Sequence, residues 1–184
     1  MLKSVKWIED QILCVQVADG VYSLAQMRKN SLMEFFDVFQ TNQDWTGIDL
    51  NKKDILFCLF VAEKKLKPIF LSVVSPEQVA PNGRPIKKMM LSAAFDRGVQ
   101  GGARLIELTD NYESYGAKVV KDVLSVPDDI EEIYGNELCG MYGNPEKMKK
   151  RLRNYFETGV NWDESKEFLF SGISAPPPKK HDIF

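Results

Sequence analysis

The run Ile55-Leu56-Phe57-Cys58-Leu59-Phe60-Val61 contains no polar residue. A strand with one wet face alternates polar and apolar side chains, so a run without a polar face predicts a strand covered on both sides and seated in a core. Extended to Ala62 it is still far short of the roughly 20 residues that a membrane-crossing helix needs. On its C-terminal side Lys64, Lys65, Lys67 and Pro68 form a charged turn, after which Ile69 to Val74 predicts an antiparallel neighbour for it.

Upstream, Ile12 to Val17 and Val21 to Met27 flank Ala18-Asp19-Gly20. The Asp-Gly pair supplies the positive φ that a tight turn requires, so this stretch predicts a β-hairpin. Leu32 to Phe39 extends it as a third strand, although Leu-Met-Glu-Phe-Phe is also compatible with a helix start. Asn42 to Asp54 is polar, carries Trp45 and Gly47, and reads as a loop.

Downstream, Pro76 to Pro85 holds three prolines and reads as a surface loop, because proline cannot serve an internal ladder. Further strands are expected near Met89 to Phe95 and Arg104 to Leu108. Asn144-Pro145-Glu146 gives an N-cap, a proline at the first helical position and an acid in the first turn. Met148, Leu152, Tyr155 and Phe156 then fall on one face before Gly159, so a late helix is expected to pack on the sheet. From Ala175 the Pro-Pro-Pro-Lys-Lys stretch lacks the apolar content to fold alone. The expectation is α+β: a β-rich single domain over residues 1–174, mostly antiparallel sheet with a late C-terminal helix on it, and a proline-rich tail over 175–184.

The formal charge of -2 argues against a general nucleic-acid binder, whose affinity rests on a positive face. Three cysteines far apart in sequence, Cys14, Cys58 and Cys139, suit reduced core thiols. With charges interrupting the first ten residues before any signal-peptide-like run, a cytoplasmic location without membrane attachment is expected.

The only histidine, His181, stands in the proline-rich stretch beside Asp182 with no other ligand-type residue near it. Triad chemistry and multi-histidine zinc sites therefore lack their residues. Gly98-Val99-Gln100-Gly101-Gly102 is followed by no Lys-Ser/Thr and is read as a turn rather than a phosphate loop. Carboxylate chemistry stays open, with Glu34 and Asp37 around two phenylalanines, or Glu107 and Asp110, as pairs whose separation in space decides the matter. Asp128, Asp129, Glu131 and Glu132, with Tyr134 and Glu137, form an acidic stretch able to steer a basic partner; the plainer reading is a solvated helix start. Lys147, Lys149, Lys150, Arg151 and Arg153 crowd the late helix, either as a phosphate-contacting face or as an ordinary solvated one.

The succession Ile12 to Val17, Asp19-Gly20-Val21-Tyr22, Phe35-Phe36-Asp37 and Leu56-Phe57 to Phe60-Val61 resembles the immunity protein 26 family of bacterial polymorphic toxin systems, over the first third to half of the chain. The resemblance implies a cytosolic antidote that binds a cognate protein toxin, such as the nuclease effector of a contact-dependent growth inhibition system, with no catalytic residue and no cofactor. The same family name is linked to phosphotriesterase-like proteins, whose histidine-held metals this chain has no residues to bind. The leading expectation is thus an immunity protein, not an enzyme and not a direct nucleic-acid binder. Its partner-binding residues are expected among Asp128, Asp129, Glu131, Glu132, Tyr134 and Glu137, with Trp45 as a second candidate for which a core or loop-packing role is the equal alternative. A small hydrolase and a nucleic-acid-associated module are the alternatives.

Overall fold

The structure, a computed structural model, describes residues 2–95 and 102–179. His181, Asp182 and the stretch from Gly98 to Gly101 lie outside these residues.

The expected hairpin forms from β1 (Ile12–Ala18) and β2 (Val21–Met27), paired antiparallel through the Asp19-Gly20 turn. Gly20 takes a φ of 69°, a conformation that costs glycine nothing. β3 (Leu32–Gln40) is a strand and not a helix, because its alternate side chains find a core on each face. Met33, Phe35 and Phe39 enter one cluster, and Leu32, Phe36 and Val38 enter clusters on the other side. β4 (Ile48–Asp49) and β7 (Val79–Ala80) form a two-residue parallel pair that ties the two long loops together.

β5 (Ile55–Val61) is covered on both faces as its composition requires: Phe57, Leu59 and Val61 face one core, Cys58 and Phe60 another. Its neighbour differs from expectation. After a short helix α1 (Glu63–Leu66), β6 (Phe70–Val74) pairs antiparallel with β1, at the opposite edge of the sheet. The charged turn is a helical crossover rather than a hairpin, so Leu66 and Ile69 plug the core beneath the sheet instead of reversing the chain beside β5.

A second sheet holds β8 (Met89–Ala93), β9 (Ala103–Glu107) and β10 (Lys118–Lys121), antiparallel in that succession. Met90 and Ile106 face the first sheet, while Leu91 and Leu105 face the opposite way, toward α2 (Ile130–Gly135) and α4 (Ser165–Leu169). The segment from Glu137 to Tyr142 joins the sheets: β11 (Glu137–Leu138) pairs parallel with β8, and β12 (Met141–Tyr142) pairs parallel with β5. The strand orders are β12-β5-β3-β2-β1-β6 and β10-β9-β8-β11, which leaves β11 and β12 each at a sheet edge.

The late helix α3 spans Pro145–Thr158 as its caps predict. Asn144 accepts a hydrogen bond from the Lys147 N–H at 3.0 Å, and Gly159 closes the helix at φ 72°. Met148, Leu152 and Tyr155 bury against the first sheet. The domain is therefore β-rich α+β with mainly antiparallel pairing, and every parallel pair involves a two-residue strand. No helix among the described residues is long and apolar enough to cross a membrane.

Candidate functional site

The acidic stretch does not form one surface. Asp128 and Glu131 face solvent, but Asp129 is buried, bonded to the Lys121 ammonium and to the Ser125 N–H at 3.0 Å. The Lys121 hydrogen bond, then that of Ser125, hold its carboxyl below the ordinary range. Glu132 is half-buried. Tyr134 donates to the Ser174 carbonyl at 3.0 Å and packs edge-on against Trp162. Glu137 turns inward beneath α3. Trp45, expected as an exposed candidate, is 1% exposed and packs with Cys14, Phe36, Leu50 and Val79. The polar sequence around it closes as a lid over that cluster, so its ring is core.

Of the two carboxylate pairs, Glu34 and Asp37 separate, whereas Glu107 and Asp110 both lie near the Lys88 ammonium. Glu34 and Asp37 lie three residues apart on a strand, hence on opposite faces. Glu34 accepts from Arg28 at 3.0 Å and from Asn82 at 2.8 Å, pinning the Pro76–Pro85 loop to the sheet. Burial pushes its carboxyl up against the pull of Asn82 and Arg28. Asp37 accepts from the Tyr155 hydroxyl at 2.5 Å. Asp110 is exposed and paired with Lys88 at 2.6 Å, at the far end of the second sheet's hairpin.

The basic residues of α3 divide. Lys147, Lys150 and Arg153 are exposed, but Arg151 is buried and forms a fork with Glu137, at 2.9 and 2.7 Å. Its Nε donates to Asn161 at 2.9 Å, Asn161 donates on to the Leu56 carbonyl at 2.6 Å, and its guanidinium lies 4.1 Å from the Phe57 ring centroid. Burial pushes the Glu137 carboxyl up, but Arg151 and, behind it, Lys166 and Lys87 overcome this and hold it below its ordinary value.

Beside this pair opens a cleft of about 930 Å³, between the Leu138–Asn144 segment, α3 and α4. Leu91, Trp162 and Leu169 lie in its apolar lining, and Phe95 (68% exposed), Met141 (62%) and Phe168 (81%) present apolar surface to it. Asp163 is buried in its wall, bonded to the Tyr142 hydroxyl and to the Ser165 N–H. Burial pushes the Asp163 carboxyl above its ordinary value. Next to it Lys166, fully buried, donates to the Ile133 carbonyl at 2.7 Å, and burial pushes its ammonium down.

Perturbed titrating groups beside an apolar cleft are the usual marks of a functional site. The cleft's carboxylates are nevertheless engaged: Asp163 with Tyr142 and Ser165, Glu164 with Lys150 at 2.5 Å, Glu167 with the Trp162 indole at 2.8 Å. Among the described residues no group of three or more His, Cys, Asp or Glu side chains could hold a metal ion.

Sequence reasoning reached only the α3 side of this region, through Lys147, Lys150 and Arg151, because the rest of the lining comes from separate elements. On the other side, Asn161-Trp162-Asp163-Glu164, a polar-aromatic stretch straight after a capped helix, was a local signal left unused. No curated protein and no solved structure matches the chain. A family model matches residues 2–175, and the chain accordingly belongs to the family described as a domain of unknown function, DUF8309.

Proposed function

We propose that the protein is a non-catalytic binding protein, an antidote that captures a cognate protein toxin in the cytoplasm, and that the cleft between α3 and α4 is its binding surface. The observation that carries this reading is the convergence of Phe95, Met141 and Phe168 on one cleft. Large apolar side chains gathered in a concave patch mark interaction sites, whereas scattered ones do not. The hydrogen bonds that tie Asp163 to Tyr142 and Ser165, and Glu167 to Trp162, give these carboxylates roles within the fold, which supports binding over hydrolysis. The acidic stretch is not part of this reading, because Asp129 and Glu137 are held inside the fold.

A carboxylate-based hydrolase is the second reading, favoured by the raised Asp163 beside Tyr142 in a cleft wall. One experiment addresses both. The protein is co-expressed with the product of the gene immediately upstream, and growth rescue and co-purification are scored for wild type, Met141→Asp and Asp163→Asn. Rescue and complex formation by wild type and Asp163→Asn, with loss in Met141→Asp, is the expected result. Absence of both with every neighbouring product sinks the antidote reading, and rescue lost only in Asp163→Asn moves the function to hydrolysis.

A further inference from the structure

The loop over residues 76–85 meets the first sheet at Asn82, which is 1% exposed and bonded at every polar atom. Its N–H donates to Gln26 Oε1 at 2.7 Å, and its carbonyl accepts from Gln26 Nε2 at 3.1 Å and from Arg28. Its Oδ1 accepts from Arg84 Nε at 2.7 Å, and its Nδ2 donates to Glu34 Oε2 at 2.8 Å. Beside it the Gly83 N–H donates to Asn51 Oδ1 at 2.9 Å, and the Arg84 carbonyl accepts from Arg28 Nη2 at 3.1 Å. Docking the loop here seats Val79 in the cluster around Trp45 and brings Ile86 into that of Leu32 and Phe60, so its release uncovers apolar surface.

Glu34, also 1% exposed, is used unevenly. Oε2 accepts from both Arg28, at 3.0 Å, and Asn82, whereas Oε1 is buried with no hydrogen-bond partner among the described residues. A buried carboxylate with one unpaired oxygen bears a desolvation cost that its two bonds offset in part. A proton taken from solvent onto Oε1 removes the charge and breaks no bond, because Oε2, now the carbonyl oxygen, still accepts both.

The groups facing Glu34 accommodate its neutral form. Arg28 keeps Asp10 at 3.5 Å and the carbonyls of Asn82 and Arg84, and Arg84 keeps the carbonyls of Leu50 and Lys53 at 3.0 and 2.6 Å. Cys58, opposite Glu34 on β5, is a thiol that burial holds neutral, so it adds no charge. Burial outweighs the pull of Asn82, Arg28 and Arg84 and sets the Glu34 carboxyl above its ordinary value. With the loop lifted the carboxyl meets water and moves back toward that value. The docked loop therefore binds the proton more tightly than the lifted one, and acidification favours docking until the ordinary value is passed.

We propose that Glu34 is a proton-operated clasp: uptake of a proton at Oε1 tightens loop 76–85 on the first sheet, and loss of that proton loosens it. The clasp acts whatever the cleft between α3 and α4 binds.

Amide exchange of the full chain, followed by NMR from pH 8 to pH 4.5 and corrected for intrinsic rates, reads the loop through the Asn82 and Gly83 amides. Carbon-13 in the glutamate carboxyls reads Glu34 directly. Relative to the amides of β5, protection at Asn82 and Gly83 is expected to rise by about threefold or more as pH falls, over the range in which Glu34 titrates. Glu34→Gln, neutral at every pH, should hold the two amides within about twofold of the acidic wild-type value throughout. The wild-type pH series stands on its own if that variant does not fold. Protection that is flat or falls on acidification, a Glu34 carboxyl titrating at or below its ordinary value, or the same rise in folded Glu34→Gln overturns the proposal.

Discussion

Replacing Arg151 by Met tests the structure at a buried, heavily committed side chain. Arg151 and Glu137 are 8% and 13% exposed, and the guanidinium makes two bonds to the carboxylate and one to Asn161. Removing one partner of a buried pair costs about 3–5 kcal/mol, because the other charge is left desolvated. Lys166 and Lys87 attract the Glu137 carboxylate, and a Met side chain keeps part of the contact with Phe57, so the lower end, about 3 kcal/mol, is expected. In a chain of this size that corresponds to a fall in Tm of about 6–12 °C. The double variant Arg151→Met, Glu137→Leu removes the orphaned carboxylate but also takes from buried Lys166 the carboxylate that most favours its charge, so it should recover only about 1 kcal/mol of the loss in a double-mutant cycle read by urea unfolding.

The pH dependence adds a second readout. In the wild type Glu137 titrates below its unfolded-chain value, so its contribution is complete above that value and is lost as pH falls through the folded one. In Arg151→Met burial is opposed only by the lysines, the folded value is expected to rise, and protonation then stabilises the variant. The gap between the two proteins should therefore narrow from pH 7 toward pH 4. A single variant within 0.5 kcal/mol of wild type, a coupling near zero, or a gap that widens on acidification refutes the reasoning.

Asp163→Asn should be more stable than wild type at pH 8, because burial penalises the charged Asp163, and this advantage should disappear as pH falls to 4 and the wild-type carboxyl protonates; a constant difference across pH in chemical unfolding would contradict the burial of Asp163. Gly159→Ala places a Cβ at a φ of 72°, and Asn144→Ala removes the acceptor for the Lys147 N–H, so each should lower stability by about 1 kcal/mol, with calorimetry showing additivity in the double variant. Trp45→Ala should cost about 3–5 kcal/mol as a cavity in a packed cluster, while toxin affinity at a temperature where it is folded stays at the wild-type value. A loss of affinity without a loss of stability would return Trp45 to the binding surface.

The hairpin, β5 and α3 were legible because each is written in local signals: an Asp-Gly turn, an unbroken apolar run, and an Asn-Pro start with a Gly stop. The partner of β6 was not legible. Pairing depends on where α1 delivers the chain, and Leu66 and Ile69 decide that by burying in a core that exists only once the sheet is formed. Trp45 stayed undecided between surface and core for a related reason, since its neighbours in sequence are polar while its neighbours in space, Leu50 and Val79, come from two loops joined by a two-residue ladder. The cleft was least legible of all, because strands β11 and β12 are too short to carry a period and Asp163 acquires its character chiefly from burial, which only the folded chain supplies.

The bridging segment also bears on how the protein is made. Met141 pairs with Phe60, 81 positions earlier, so at about 5–20 residues per second a ribosome exposes the outer side of β5 for about 4–16 s before its last partner is synthesised. An unpaired apolar strand waiting that long is an aggregation hazard. Nascent chains stalled before Met141 should accordingly recruit chaperones more strongly than chains stalled after α3 has emerged, and slowing translation between the two sheets should lower the soluble yield.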